Sequence, residues 1–425
     1  MLGIVMLVSN INSEPTIRVG IILSEDKYKQ VRILIPELGP NKKSKNSISG
    51  NIDIKIHKQG LTANEQHFNE ILLSSNEPND HLTIYSVPTG RGFHWEKNID
   101  VQLIGDIHIK NTGGYIELIN QLPLEKYLSS VVTAEMSPDC PPAFIEAQTI
   151  SARSWLLANR KVNHSDFDVC NDDCCQRYQG IVDTPDNTIR AIHNTFGKVI
   201  TYGNDICNAR YSKCCGGITE SFENVWGGQP IPYLTSIIDH PEPKEHADKI
   251  DEHIRNLPES FCSPKFVPEN GTGKYLGNVD SPDSYFLWNI EYSHDKLQTI
   301  FNDKLGLNVK RVCDLIPLVR GKSGRILKLE IKYIDNRNKE CSTILKSEYE
   351  IRNALHDKFL YSSAFLMDID KDKEKNIKTL KLSGAGWGHG VGLCQMGALG
   401  MALNGSSADE ILSHYFKDTV LTKLY

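Results

Sequence analysis

The sequence has few of the features that mark a membrane protein or a nucleic-acid-binding protein. Its 425 residues contain no apolar run of the roughly 20 residues needed to cross a bilayer. The formal net charge of -6 argues against non-specific nucleic-acid binding, which needs clustered Lys and Arg to neutralise phosphates. An apolar content of 40% with 24% charged residues excludes a wholly disordered chain. We therefore expect a globular protein with no nucleic-acid partner and no transmembrane span.

The N-terminal segment does not identify a cellular compartment by itself. Residues 1–8 are apolar, but they lack the basic residues and the small-residue cleavage site of a secretory signal peptide. A clipped export signal and an ordinary first β-strand are both compatible with this composition.

The first 110 residues are predicted to form a small β-rich module. Residues 17–36 contain two β-branched runs around a polar turn, which is typical of paired strands. Further strands are predicted near residues 52–56, 82–85, 101–103 and 114–118, with polar loops at 40–50 and 74–80. No catalytic constellation is visible in this part of the chain.

Helical signals begin at residue 122. Residues 124–136 place apolar side chains at a helical period, and Ser137 and Pro138 end that helix. Pro141 and Pro142 begin a second helix that we expect to reach residue 160. Later elements are predicted as strands at 198–202, 209–212 and 321–333, a glycine-dense segment at 384–400 and a helix at 407–416.

These elements predict an α+β fold. We expect a β-rich domain over residues 111–425, with a few buried helices that form a substrate groove. An insertion is predicted near residues 240–284, which are rich in Pro, Gly and acidic residues. Residues 1–110 form the N-terminal module. The sequence contains no repeat of fixed period.

Eleven cysteines are too few for a small disulfide scaffold, and their number is odd. Cys170, Cys174 and Cys175 lie within six positions, and His164 precedes them. Thiolates and an imidazole at short spacing are typical of tetrahedral zinc. A disulfide or plain buried thiols remain the alternative. Cys214 and Cys215 form a second pair, interpreted as buried thiols or a labile disulfide.

Three segments resemble the stage II sporulation protein D family (the SpoIID/LytB domain). They contain LPLEKYLSSVVTAEM in residues 122–160, GGITESFENVWGG in 211–234 and GAGWGHGVGLCQMG in 384–425. Weaker marks are Ser323-Gly-Arg325 and Ile351-Arg352. The resemblance covers most of residues 110–425.

The resemblance implies a protein of the cell envelope that binds peptidoglycan. Some members of the family act as lytic transglycosylases on glycan strands stripped of stem peptides, and others enhance a cell-wall amidase. Members that bind zinc use a His…Cys…His-Cys run. This sequence has Cys174 where the second of those His residues would fall, so the implied ligands are His164, Cys170, Cys174 and Cys175.

The AEM motif of the resemblance assigns the catalytic acid to Glu135. This residue is predicted at the end of an apolar helix, where the negative end of the helix dipole and the apolar neighbours disfavour the charged carboxylate. A general acid needs the protonated form. The alternative from the residues alone is a helix-terminal Glu paired with a cation.

Six further residues are predicted to bind substrate. An Arg in a buried-looking helix is expected to contact Glu135 or a substrate carboxyl, with a structural ion pair as the alternative. Hydroxyl, aromatic and amide side chains are expected to contact sugars, with turn or core roles as their alternatives. These residues are Arg153, Thr219, Tyr233, Trp387, His389 and Gln395.

Two other functions compete with the transglycosylase. A non-catalytic enhancer of an amidase would share the fold and the glycan-binding groove. A zinc hydrolase would need an open metal site, for which His164, His193 and His240 are candidates, but the sequence has no HExxH motif.

Overall fold

A computed structural model describes residues 13–36, 49–75, 81–92, 96–162, 164–172, 174–180, 184–242, 254–255, 259–268, 272–276 and 285–425. Residues 1–8 and most of the predicted loops at 40–50 and 74–80 lie outside the described residues. The same holds for much of the predicted insertion at 240–284.

The described residues contain eight α-helices and 22 β-strands in several sheets, which confirms the predicted β-rich α+β class. The chain divides into two compact units. Unit 1 comprises Met1–Asn208, Tyr275–Asp280 and Leu421–Tyr425, and unit 2 comprises Ala209–Lys274 and Ser281–Val420.

Unit 1 is dominated by antiparallel strands whose side chains alternate between buried and exposed positions, as in Glu70–Ser75. Its strands are β1 Thr16–Ile22, β2 Gln30–Ile35, β3 Gly50–His57, β4 Gly60–Ala63, β5 Gln66–Phe68, β6 Glu70–Ser75, β7 Leu82–Thr89, β8 Lys97–Leu103, β9 Gly105–Thr112, β10 Tyr115–Pro123, β11 Val169–Cys170, β12 Lys198–Tyr202 and β13 Asp205–Ile206. One sheet has the order β11-β1-β10-β9-β6, and another has the order β5-β4-β3-β2-β7-β8. The domain boundary predicted at residue 110 falls within β9, and it remains a prediction.

Three helices complete unit 1: α1 Leu124–Glu135, α2 Pro142–Asn159 and α3 Asp186–Asn194. The first two match the helices predicted from the apolar period and the proline pairs. Pro142 occupies the first turn of α2, where its missing N–H costs no hydrogen bond. Helix α2 is buried along most of its length, from Phe144 to Leu157.

A buried ion pair joins the helices of unit 1. Arg153 in α2 has no exposed surface, and its Nε and Nη2 donate to the two carboxylate oxygens of Glu125 at 2.9 and 2.6 Å. Its Nη1 donates to the Lys198 carbonyl at the start of β12. The Tyr425 hydroxyl donates to Glu125 Oε1 at 2.7 Å. A fully hydrogen-bonded pair of this kind fixes the segments that contribute to it.

Unit 2 contains further strands and helices. They are β14 Tyr211–Ser212, α4 Phe222–Trp226, β15 Leu287–Ser293, α5 His294–Leu305, β16 Val309–Arg320, β17 Ile326–Asp335, β18 Glu340–Leu345, α6 Glu348–Ala354, β19 Phe365–Lys371, β20 Ile377–Ala385, β21 Leu393–Cys394, α7 Gln395–Leu403 and α8 Ala408–Tyr415. A final strand, β22 Val420–Lys423, is hydrogen-bonded to β12 of unit 1. Residues 421–423 of this strand also belong to unit 1.

Apolar side chains from the β15-β20-β19 and β16-β17-β18 sheets form one core with α5 and α6. Helix α5 begins where Ser293 accepts the Lys296 N–H, and it ends at Gly306 in the left-handed conformation. None of the helices in the described part of the chain is long and apolar enough to cross a membrane.

We expect Glu125→Ala to lower the free energy of unfolding by about 3–5 kcal/mol, because it leaves the Arg153 guanidinium buried without its counter-charge. Tyr425→Phe removes one donor only and should cost about 1 kcal/mol. Urea unfolding followed by circular dichroism measures both. Arg32→Ala is the control, since it breaks an exposed pair with Asp53. An equal effect of Glu125→Ala and Arg32→Ala would contradict the role of the buried pair.

Candidate functional site

Glu135 is the last residue of α1 and is half-buried. The next residue, Met136, is extended, and its N–H donates to the Val132 carbonyl. Met136 also pairs with Leu276, and the Ser137 N–H donates to the Tyr275 carbonyl at 3.0 Å. The backbone is therefore fixed on both sides of Glu135, at the carbonyl end of the helix where the sequence places it.

Arg153 does not have the predicted substrate role in this structure. Its guanidinium is fully buried, and its donors go to Glu125, Lys198 and Thr195. The expected contact with Glu135 is replaced by the bidentate pair with Glu125. The structural ion pair, which was the alternative, is the arrangement that the structure shows.

The four predicted metal ligands of unit 1 come together. The Nε2 of His164 and the Sγ atoms of Cys170, Cys174 and Cys175 all lie within 4.8 Å of one another. The His164 Nε2 is 3.6 Å from Cys175 Sγ, and the Cys170 and Cys174 sulfurs are 2.7 Å apart. A disulfide needs about 2.03–2.05 Å. All eleven cysteines are free thiols in this structure.

Backbone pairing places this thiol cluster beside the first strand. Strand β11 adds in parallel to β1, with Cys170 beside Gly20. The Asp172 carboxylate then accepts the Gly90 and Arg91 N–H groups at 3.0 and 2.8 Å. The Arg91 guanidinium binds Asp172 and also Asp26. A strand pairing and the ion pairs of Arg91 thus hold the loop that carries the cysteines.

The chemistry of the donor set fits a metal ion. Hydrogen bonds from the Cys170 and Cys175 thiols lower the pKa of Cys174, with help from His164 and Arg91. The thiolate is the form that binds metal. Three sulfurs and one imidazole nitrogen are a common tetrahedral set. These residues can therefore hold a metal ion. His193 and His240 belong to no such group among the described residues.

Thr219 of unit 2 is buried and bonds to backbone. Its hydroxyl accepts the Ile237 N–H at 2.9 Å and donates to the Thr235 carbonyl at 3.3 Å. Thr235 and Ile237 both follow Tyr233 closely in the chain, and the Tyr233 side chain is half-buried. Thr219 therefore shapes this turn, and its predicted direct contact with a sugar does not fit a side chain that is 1% exposed.

The glycine-dense segment of unit 2 wraps a buried arginine. Arg325 donates to the Gly388 and Cys215 carbonyls, and it has no exposed surface. At Gly390 the backbone has φ +77°, and a Cβ there would lie 2.4 Å from Arg325 Cζ. Only glycine fits that position. The weak family mark at Ser323–Arg325 is thus part of this packing, since Ser323 Oγ also donates to buried Glu220.

His389 lies beside an exposed aromatic residue that the sequence analysis did not select. Its ring is 4.8 Å from the Trp226 ring, and the Arg210 guanidinium lies over Trp226 at 4.5 Å. The Val391 N–H donates to His389 Nδ1, which leaves the proton on Nε2. Burial, followed by the charge of Arg210, lowers the pKa of His389 well below its usual 6.5. The imidazole is therefore neutral, and its N–H is already donated to the Tyr211 backbone.

Trp387 and Gln395 differ in their accessibility. Trp387 is half-buried. Its ring centroid lies 4.5 Å from that of Tyr361, on which it stacks, and 4.8 Å from that of Tyr285. Gln395 begins α7 and is 2% exposed, so the predicted direct contact with substrate does not fit it. Near the glycine-dense segment, Trp226 is therefore exposed, and Trp387 and His389 are half-buried.

The lowered pKa of His389 predicts a pH dependence of stability. In the unfolded chain the imidazole gains a proton near pH 6.5, whereas in the folded chain it stays neutral. The unfolded state then binds more protons, and the free energy of unfolding falls as the pH decreases below about 6.5, by up to about 1.4 kcal/mol per pH unit. We expect His389→Gln to reduce this slope in urea unfolding between about pH 6.5 and pH 5. His57→Gln, at an exposed position, should keep the wild-type slope. Parallel pH profiles for His389→Gln and wild type would contradict the assignment.

Comparison with known proteins identifies two regions. A family model described as Stage II sporulation protein (SpoIID) matches residues 112–202, which contain α1, α2 and the thiol cluster. A model described as a domain of unknown function (DUF8618) matches residues 220–392.

Several relatives align with about 70% of the chain. An uncharacterized protein of Brachyspira hyodysenteriae is 24% identical over 301 residues, which cover 66% of that protein. The Amidase enhancer of Bacillus subtilis is 26% identical over 309 residues, and the alignment covers 40% of it. Stage II sporulation protein D of Bacillus subtilis is 22% identical over 332 residues, or 76% of its length. The chain thus spans less than two thirds of the first two relatives, and its residues 112–202 are similar to the stage II sporulation protein (SpoIID) family.

Proposed function

We propose that this protein is a lytic transglycosylase of the cell envelope that cleaves peptidoglycan glycan strands stripped of stem peptides. The observation that carries the proposal is the position of Glu135. It ends α1 within the region that matches the SpoIID family, it is half-buried, and the backbone that follows it is held by Leu276 and Tyr275. A carboxyl residue on a fixed backbone supports this role, because a general acid must be held in position against the bond that it cleaves.

Glu135 performs both proton transfers in the proposed reaction. Its protonated carboxyl gives the proton to the glycosidic oxygen as the bond from the muramic acid C1 breaks. The resulting carboxylate takes the proton of the 6-hydroxyl on the same sugar, and that oxygen bonds to C1. The product is a 1,6-anhydro-muramic acid end, and Glu135 is protonated again. Because the nucleophile belongs to the sugar, the second carboxylate of most glycosidases is not needed.

The accessible aromatic residues of unit 2 support carbohydrate binding. Trp226 is 42% exposed, and the neutral imidazole of His389 lies beside its ring at 4.8 Å. Aromatic faces stack on the apolar faces of sugar rings, and polar groups at their edges bind the hydroxyls. We therefore assign glycan contacts in this unit to Trp226, His389, Trp387 and Tyr233.

The thiol cluster is proposed to bind zinc through His164, Cys170, Cys174 and Cys175. A zinc ion with four protein ligands has no open position for water, so its contribution is to the fold. It would stabilise the loop that follows α2, and Glu135 needs no metal for its proton transfers.

A non-catalytic role is the second candidate, because one relative is named Amidase enhancer. In that case the protein binds glycan strands and stimulates a cell-wall amidase without cleaving the strands. Both functions use the same sugar-binding residues, and only the chemistry of Glu135 separates them.

We expect purified wild-type protein to release fragments with 1,6-anhydro-muramic acid ends from denuded glycan strands, as measured by mass spectrometry. Glu135→Gln keeps the size of the side chain but removes the proton donor, so the rate should fall by about 10²–10⁴-fold. Glu146→Gln on α2 is the matched control and should retain activity, since Glu146 contacts Asn194 on the protein surface.

Two results would sink the transglycosylase proposal. One is the absence of anhydro products from wild type together with stimulation of an added amidase, which supports the enhancer. The other is equal activity of wild type and Glu135→Gln.

Metal analysis tests the zinc site. We expect Cys170→Ser to remove one equivalent of zinc from the purified protein, because serine is a poor zinc ligand. Cys313→Ser, in unit 2 and outside the thiol cluster, should leave the zinc content unchanged. Equal zinc content in wild type and Cys170→Ser would refute the site.

A further inference from the structure

A second group of cysteines lies in unit 2, and the proposed function does not use it. The buried cluster consists of Cys215, Asp239, Cys262 and Cys394, and all four side chains are at most 2% exposed. One ligand atom from each residue lies within 4.8 Å of the other three. No short sequence spacing joins these residues, which come from four separate segments.

Two separations in the buried cluster match those between ligands of one ion. Cys215 Sγ lies 3.4 Å from Asp239 Oδ2 and 3.6 Å from Cys262 Sγ. Zinc bonds of about 2.0–2.3 Å in a tetrahedron place neighbouring ligand atoms about 3.3–3.8 Å apart. The four side chains therefore surround a space of the correct size for one ion.

Cys394 is prepared to act as a thiolate. Its Sγ accepts the Cys215 N–H at 3.1 Å and the Gly397 N–H at 3.3 Å. The same residue is the N-cap of the nine-residue helix α7, so the helix dipole also favours negative charge on the sulfur. Backbone N–H donors to sulfur hold the ligand in place and reduce the charge that it carries.

Tyr415 and His414 orient the Asp239 carboxylate. Its Oδ1 accepts the Tyr415 hydroxyl at 2.7 Å and lies 3.3 Å from His414 Nε2, while Oδ2 faces Cys215. A Cβ on Gly397 would lie 2.1 Å from the Tyr415 hydroxyl and 2.5 Å from Asp239 Oδ2. Glycine is therefore needed where α7 approaches the carboxylate.

The charge of the site also favours a cation. Asp239 has no exposed surface, and the ion pair that the structure gives it is with His414. A buried carboxylate beside three sulfur atoms is costly unless a positive charge compensates it. A divalent ion supplies that charge, and the soft sulfur donors select zinc over magnesium or calcium.

We propose that Cys215, Asp239, Cys262 and Cys394 bind a structural metal ion of the zinc type, separate from the thiol cluster of unit 1. The ion links the turn after β14, the segment at 259–268 and the start of α7. The competing occupant of the same space is a disulfide between Cys215 and Cys262, which would need their sulfurs to approach from 3.6 Å to about 2.05 Å.

The test is zinc content of the full chain, purified with zinc present and measured by mass spectrometry of the metal. We expect two equivalents in wild type, one in Cys394→Ser, one in Cys170→Ser and none in the double variant. Cys341→Ser lies outside both clusters and should retain two equivalents. Because each cluster is removed separately, failure of the site in unit 1 does not hide the result in unit 2.

Substitutions of Cys262 provide a second test if Cys394→Ser does not fold. Cys262→His supplies another zinc ligand and should retain the second equivalent, whereas Cys262→Ala should lose it, with folding checked by circular dichroism. Cobalt(II) in place of zinc should give a sulfur-to-metal absorption band that weakens in Cys394→Ser. Unchanged zinc content in both Cys394→Ser and Cys262→Ala would overturn the proposal. Non-reduced peptides that link Cys215 to Cys262 in wild type would do the same.

Discussion

The bidentate contact between Arg153 and Glu125 constrains the part of unit 1 that carries Glu135. A guanidinium without exposed surface holds the first turn of α1 against the middle of α2, and it also binds the start of β12. Burial of two charges is costly, and the pair is tolerated because every strong donor has an acceptor. Helix α1 is twelve residues long, and Glu135 is the last of them. Its position therefore depends on a contact at which no chemistry takes place.

Unit 2 is organised by the close approach of backbone to buried polar groups. Arg325 fills the space beside Gly390, and its charge is taken up by the carbonyls of Gly388 and Cys215. Cys215 connects this packing to the buried cluster, since its carbonyl binds the arginine and its sulfur faces Asp239. The glycines thus have two structural roles: Gly390 leaves room for Arg325, and Gly397 lets α7 approach Asp239 in the buried cluster.

Local signals in the sequence predicted the elements that depend on local physics. The apolar period and the flanking prolines predicted the bounds of α1 and α2 closely. Short spacing along the chain predicted that His164, Cys170, Cys174 and Cys175 form one group. The partner of Arg153 could not be found in this way, because Glu125 is 28 residues distant and only the packing of two helices selects it over Glu135. The buried cluster was missed for the same reason, since 132 residues separate Cys262 from Cys394.

The last strand has a consequence for the order in which the protein can be completed. Residues 421–425 belong to unit 1, where Leu424 bonds to Gly197 and Tyr425 bonds to Glu125. The ribosome adds these residues only after all of unit 2 has been synthesised. Until then β12 presents an open edge, which is the kind of surface that pairs with other chains. The sheet of unit 1 therefore cannot be completed before unit 2 has been synthesised, and a nascent chain carries this unpaired edge through the synthesis of more than 200 residues.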